Sequence, residues 1–136
     1  MLKLGFCGDD CNVCPRYIAT QSGDVGRLQE VAKMWKRAGW RDTILTCKEM
    51  MCYGCASVKW CRYDEVRKCA QEKGIDNCGE CDDYPCKKIE KVFEQSDSYA
   101  KACKENCSKE DYECFRQAFF SKKENLDRVH NERVHQ

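Results

Sequence analysis

Wherever the pattern of apolar and polar positions is clear, it has a helical period. Leu28, Val31, Ala32 and Trp35 recur at i, i+3, i+4 and i+7 and make one apolar stripe. Ser22 and Asp24 offer N-caps and Gly39 a stop, so a helix is predicted over 23–39. A shorter one is predicted over 64–74, where Val66, Cys69 and Ala70 share a face, Asp64 caps the start and Gly74 ends it. Another follows Pro85, with Cys86 in its first turn and Ile89, Val92 and Phe93 turned inward. Pro15 suits the first turn of a helix behind Cys14, with Tyr17 and Ile18 as core contacts.

Over 96–136 two or three helices are expected. Ser108-x-x-Asp111 and Ser121-x-x-Glu124 have the form of helix starts, and Tyr112, Phe115 and Phe119 give an apolar face. After Leu126 and Val129 the pattern fades into a polar tail expected to fray. Residues 40–63 have no clear period and read as a long loop, which needs cross-links to be stable. The expected fold class is mainly α: a small metal-stapled domain of short helices and long cysteine-rich loops, with C-terminal helices packed on it. The expected organisation is a cysteine-rich metal-binding domain over 1–95 and a helical extension over 96–136.

Composition sharpens this picture. Leu, Ile, Val and Phe number 22 of 136 residues, about 16%, below the roughly 20% at which a packed core becomes doubtful. Disorder normally pairs that deficit with high net charge, but here the formal net charge is +1. A thin core supplemented by cross-links fits better. Basic and acidic residues are evenly spread, so no nucleic-acid footprint is indicated. The opening residues carry no export-signal pattern and no apolar run reaches membrane length, so the expected location is the cytoplasm.

The chemistry lies in 14 cysteines. They could be a disulfide scaffold, free thiols or metal ligands, and metal is favoured. A reducing compartment keeps thiols free, and the cysteines fall in close pairs: Cys11 with Cys14, Cys52 with Cys55, Cys78 with Cys81. Gly8, Gly54 and Gly79 sit beside or inside these clusters, where tight turns let amides approach sulfur. The spacing Cys7-x-x-x-Cys11-x-x-Cys14 is that of the cluster loop in radical S-adenosylmethionine enzymes, but those chains are much longer and build a barrel. His130 and His135, the only histidines, fall in the tail and are expected to be exposed. Asp9-Asp10 and Asp82-Asp83 read as turn and helix-start charges. No catalytic constellation is visible, and the reading leans against an enzyme.

The ordered motifs CGDDCNVCPRYIAT, CYGC, CRYDEVRKCAQEKGIDNC and CGECDDYPC, over about residues 5–93, resemble a cysteine-rich bacterial and archaeal family known as a domain of unknown function. That family is described as zinc-binding because of its cysteine motifs. The resemblance implies a small stand-alone protein with no established activity. It implies metal ligands at Cys7, Cys11, Cys14, Cys52, Cys55, Cys61, Cys69, Cys78, Cys81 and Cys86. Some relatives carry a further cysteine where this chain has Asp64, which weakens the case for Cys61. Ten cysteines exceed two four-cysteine sites. The preferred grouping joins Cys7, Cys11 and Cys14 with one later cysteine, and Cys52 and Cys55 with Cys78 and Cys81. Cys61, Cys69 and Cys86 compete for the open place.

Two functions are expected from different classes. The first is a cytoplasmic zinc-binding protein with two structural ions, serving as an interaction or regulatory module for a protein partner. The alternative is a redox protein with an iron–sulfur cluster or reactive thiols, Cys86 foremost. Cys103, Cys107 and Cys114 lie outside the family pattern and read as buried side chains on one helix face, or as a third metal site or redox pair.

Overall fold

The computed structural model describes residues 3–54 and 61–134. The chain is mainly helical, and the described residues contain no β-strand beyond an isolated bridge between Leu4 and Asp10. Helix α1 runs Pro15–Ser22 with Pro15 at its start, and Gly23, at φ 69°, turns the chain out of it. Helix α2, Val25–Arg37, is capped by the Asp24 carboxylate, which accepts from the Arg27 amide. Its buried residues are Leu28, Val31, Ala32 and Trp35, the stripe read from the sequence. A single turn, α3 (Cys47–Met50), carries a full capping box between Thr46 and Glu49. It interrupts the stretch expected to be loop.

Helix α4, Asp64–Lys73, ends at Gly74 as its spacing predicts. A 3-10 turn over Cys78–Glu80 follows, with the Asn77 side chain accepting from the Gly79 amide. Helix α5 is longer than its sequence signal, Lys87–Asn106, with Cys86 at its N-cap. The boundary expected at 95/96 therefore falls inside one continuous helix. Helix α6 spans Lys109–Phe119 behind the Ser108 cap, and α7 spans Lys122–Val134. No described helix is long and apolar enough to cross a membrane.

Two small cores replace one large one. The first gathers Leu28, Val31, Ala32 and Trp35 of α2 with Ala19, Met50, Cys103 and Phe115. Trp35 and Trp40 meet edge to face at 5.1 Å, and Trp40 lies 4.3 Å from Phe115 between ring centroids. The second core joins Cys7, Val66, Cys81, Tyr84, Ile89, Val92 and Leu126. Helix α5 runs through both, giving Ile89 and Val92 to one and Cys103 to the other. Since the apolar supply is thin, cysteine side chains are themselves core residues here.

Beyond Val129, where the tail is expected to fray, α7 continues as helix to Val134. Leu126 is fully buried, and Lys122 and Asn125 are buried beside it. Helix α7 lies against both cysteine turns. A Cβ on Gly8 would stand 2.7 Å from the Lys122 carbonyl oxygen, and one on Gly79 would stand 2.8 Å from the Leu126 carbonyl oxygen. Only glycine lets the helix backbone sit this close. The Asn125 amide donates to the Gly8 carbonyl at 3.0 Å, and Arg133 bonds the Glu80 carbonyl and the Asp82 carboxylate. The Tyr84 hydroxyl donates to Asp127 at 2.6 Å. His130 is half-buried, with its ring 5.2 Å from Tyr84 and its Nδ1 shielded from solvent, which corrects the expectation of exposure. His135 lies outside the described residues.

Candidate metal centre

Most of the described cysteines fall into two neighbourhoods: one departs from the sequence grouping, and the other keeps Cys7, Cys11 and Cys14 together as that grouping has them. The first is built on Cys78. Its thiol is pushed up to about 12, by burial first and then by the negative potential of Cys86, Cys69 and Cys81. These four sulfurs come from three elements: Cys69 from α4, Cys78 and Cys81 from the 3-10 turn and its end, and Cys86 from the N-cap of α5. Lys73, one turn beyond Cys69, reaches over and donates to Cys81 Sγ at 3.1 Å and to Asp83 at 3.2 Å. The Cys78 amide is tied to the Phe6 carbonyl, which anchors this turn to the start of the chain.

The second neighbourhood faces a cavity of about 460 Å³. Cys7, Cys11, Cys14, Cys52 and Cys61 all line it. Cys7, Cys11 and Cys14 are buried, while Cys52 and Cys61 are half-exposed. Cys14 is the N-cap of α1, so the free amides of that first turn point at it. Burial pushes its thiol up to about 12, against the Tyr17 and Arg16 amides, which favour the thiolate, while Cys52 and Asp9 add negative potential. Burial also raises Cys61, opposed by the Tyr63 amide. The Cys52 amide donates to the Thr20 hydroxyl at 3.0 Å, holding this otherwise irregular strand of chain against α1.

Beneath the second set lies a buried ion pair that sequence reasoning did not find. Lys122 Nζ stands 2.5 Å from Asp9 Oδ1, and the lysine side chain is 5% exposed. Burial alone would lower the Lys122 pKa, but Asp9 and the potential of Cys7 and Tyr63 outweigh it and hold the lysine charged. A lysine four positions before a buried leucine was the one available signal, and it reads as a surface residue.

The placement corrects the expected grouping. Cys52 lies with Cys14, not with Cys78 and Cys81, and Cys69 and Cys86 join the latter pair. Cys55 lies outside the described residues. Among the described residues, no three Cys, His, Asp or Glu donors already stand in coordination geometry. The tail trio is divided: Cys103 belongs to α5, Cys107 caps its C-terminus and Cys114 sits on α6. Cys103 Sγ donates to Cys107 Sγ at 3.0 Å. Cys47 donates to the Val25 carbonyl at 3.7 Å.

The fold and its thiols define a class: a small, mainly helical, cysteine-rich protein, most of whose described cysteines lie in two neighbourhoods. The chain belongs to the family described as protein of unknown function (DUF3795), whose family model matches residues 3–91. No curated protein matches it, and no solved structure does. The matched span ends within α5, so α6 and α7, with Lys122 and Leu126, lie beyond it.

Proposed function

We propose that the protein is a metal–thiolate module holding two structural zinc ions, which complete its fold and present a regulatory or interaction surface to a protein partner. One ion would be held by Cys69, Cys78, Cys81 and Cys86. The other would be held by Cys7, Cys11, Cys14 and either Cys52 or Cys61. The observation that carries this reading is the first set: four thiols from three elements in mutual electrostatic range, one of them raised to about 12 by burial and by the other three. Cys78 stays protonated without a cation, and a divalent ion displaces its proton. Four thiolates are the donor set zinc favours in structural sites. Side-chain and turn adjustments would close the sulfurs on the ion. Structural zinc contributes on the order of 10–16 kcal/mol to folding in small modules, which suits a chain with a thin core.

Among the described residues six cysteines line this open cavity, Cys103 with the five named above, and they support a second reading for the other centre. A [4Fe–4S] cluster there would take Cys7, Cys11 and Cys14 with one remote cysteine. The two readings separate by elemental analysis of protein purified without oxygen. Two zincs per chain, falling to one in Cys78→Ser, support the zinc module. Iron with sulfide and absorption near about 400 nm supports the cluster. A metal-free chain with native circular dichroism and unchanged thermal stability rejects both.

A further inference from the structure

Two thiols that the zinc reading leaves unused face each other. Cys103 lies in the last turn of α5, and Cys107 is the residue that ends the helix, four positions on. The Cys107 amide donates to the Cys103 carbonyl at 2.8 Å, and Cys103 Sγ donates to Cys107 Sγ at 3.0 Å. Residues four apart on a helix have Cα atoms about 6 Å apart, inside the span that a disulfide bridges. The sulfurs are already within about 1 Å of bonding distance. The two differ in access. Cys103 is buried in the first core and borders the cavity, whereas Cys107 is half-exposed. Burial first, and then the hydrogen bond to Cys107, push the Cys103 thiol up to about 12. Both residues lie beyond the span that matches the family model.

We propose that Cys103 and Cys107 form a thiol–disulfide exchange site, which a small disulfide of the glutathione class oxidises reversibly to an intramolecular bond. Cys107, the accessible sulfur, attacks as thiolate. It bonds to one sulfur of the small disulfide and breaks that S–S bond, and the expelled small thiolate takes up the proton that Cys107 released. Cys103 then attacks the Cys107 sulfur. The bond between the two cysteines forms, the mixed disulfide breaks, and the second small thiolate takes up the proton from Cys103. Two electrons pass from the pair to the small disulfide, which leaves as two thiols. Excess small thiol runs the same steps backward. The buried, protonated sulfur is thus the resolving one, and the half-exposed sulfur is the entry point. The inference goes beyond the metal reading, since it uses none of the sulfurs proposed to hold zinc. Once bonded to Cys107, Cys103 is also withdrawn from the thiols of the cavity wall.

The test uses the full chain purified without oxygen, with metal content measured on the same sample. The reduced protein is held in oxidised and reduced glutathione at graded ratios, quenched in acid, unfolded, alkylated and digested with trypsin without reductant. Lys101, Lys104 and Lys109 place the two cysteines on separate peptides, 102–104 and 105–109, so the bond appears as a linked pair that reduction separates. The expected result is that linked pair, with loss of both alkylatable thiols, recovery in excess reduced glutathione and unchanged metal content. Cys107→Ser changes a half-exposed residue and should keep the native melting curve, and its Cys103 should take up no glutathione. Cys103→Ala should trap glutathione on Cys107. The wild-type measurement stands even if the core variant does not fold. No linked pair in the native chain overturns the proposal, as does linkage of either cysteine to Cys114 on peptide 110–116. Glutathione on Cys103 in Cys107→Ser, or none on Cys107 in folded Cys103→Ala, overturns the assigned order of attack and with it the proposal. A metal-free sample that forms the linked pair upholds this inference while rejecting the metal reading.

Discussion

Gly79→Ala tests whether α7 is part of the cysteine core. The new methyl carbon would stand 2.8 Å from the Leu126 carbonyl oxygen, 2.9 Å from Val129 Cβ and 3.0 Å from Asn77 Oδ1. The nearest of these atoms is helix backbone, which cannot swing aside as a flexible side-chain end would. Either the 3-10 turn or α7 must shift by several tenths of an ångström. Overpacking of this kind costs about 1–3 kcal/mol. For a chain of this size that corresponds to a fall in Tm of roughly 3–15 °C. Gly79 does not have positive φ, so the cost is steric and not conformational. Gly26→Ala is the control of opposite sign. Gly26 lies in the exposed first turn of α2, where a Cβ meets only an Asp24 oxygen at 3.5 Å, and alanine there should stabilise by up to about 1 kcal/mol. The assay is thermal unfolding by circular dichroism at fixed metal content. If Gly79→Ala melts at or above the wild-type temperature, α7 does not rest on the Cys78–Cys81 turn.

Leu126→Ala should cost about 2–5 kcal/mol, because the side chain is fully buried against Cys7, Ile89 and Tyr84; urea titration reads it, and a loss below about 0.5 kcal/mol would contradict the packing. Arg37→Ala should cost about 1–3 kcal/mol, since it strips a bidentate partner, at 2.7 and 3.0 Å, from the buried Asp111 carboxylate; the arginine is half-exposed, so the value sits well under that of a fully buried pair, and restoring stability by Asp111→Asn in the same chain would check it. For Asp127, partial burial raises the carboxyl pKa, but hydrogen bonds from Lys123 and Tyr84 outweigh that and hold it below 3.8. A depressed folded pKa adds stability that is complete above about pH 4 and is lost as pH falls through the folded value. Wild type should therefore exceed Asp127→Asn in Tm at neutral pH, and the two should converge in acid; a gap that widens below pH 4 would reverse the sign. Chelation under anaerobic conditions should remove helical circular dichroism and expose every cluster thiol to a thiol reagent, whereas retained ellipticity would speak against structural ions.

Local signals were strong wherever a helix announces its own ends. Asp24 and Ser108 cap the helices they were expected to cap, Gly74 closes α4, and the α2 stripe faces the core, because caps and periodicity depend only on neighbours within a turn. The cysteine-rich motifs that mark the family were legible in the same way, from close spacing and flanking glycine. Partner choice among those cysteines was not, because Cys52 meeting Cys14 and Cys69 meeting Cys78 are matters of tertiary closure. Nor was the role of α7. Its inward positions include Lys122 and Asn125, which look solvent-directed until Asp9 and the Gly8 carbonyl are seen to satisfy them. A polar residue at a core position shows in sequence as a break in the apolar stripe. Only the three-dimensional arrangement supplied the buried partner that makes such a residue part of the core, and with it the helix that closes both cysteine turns.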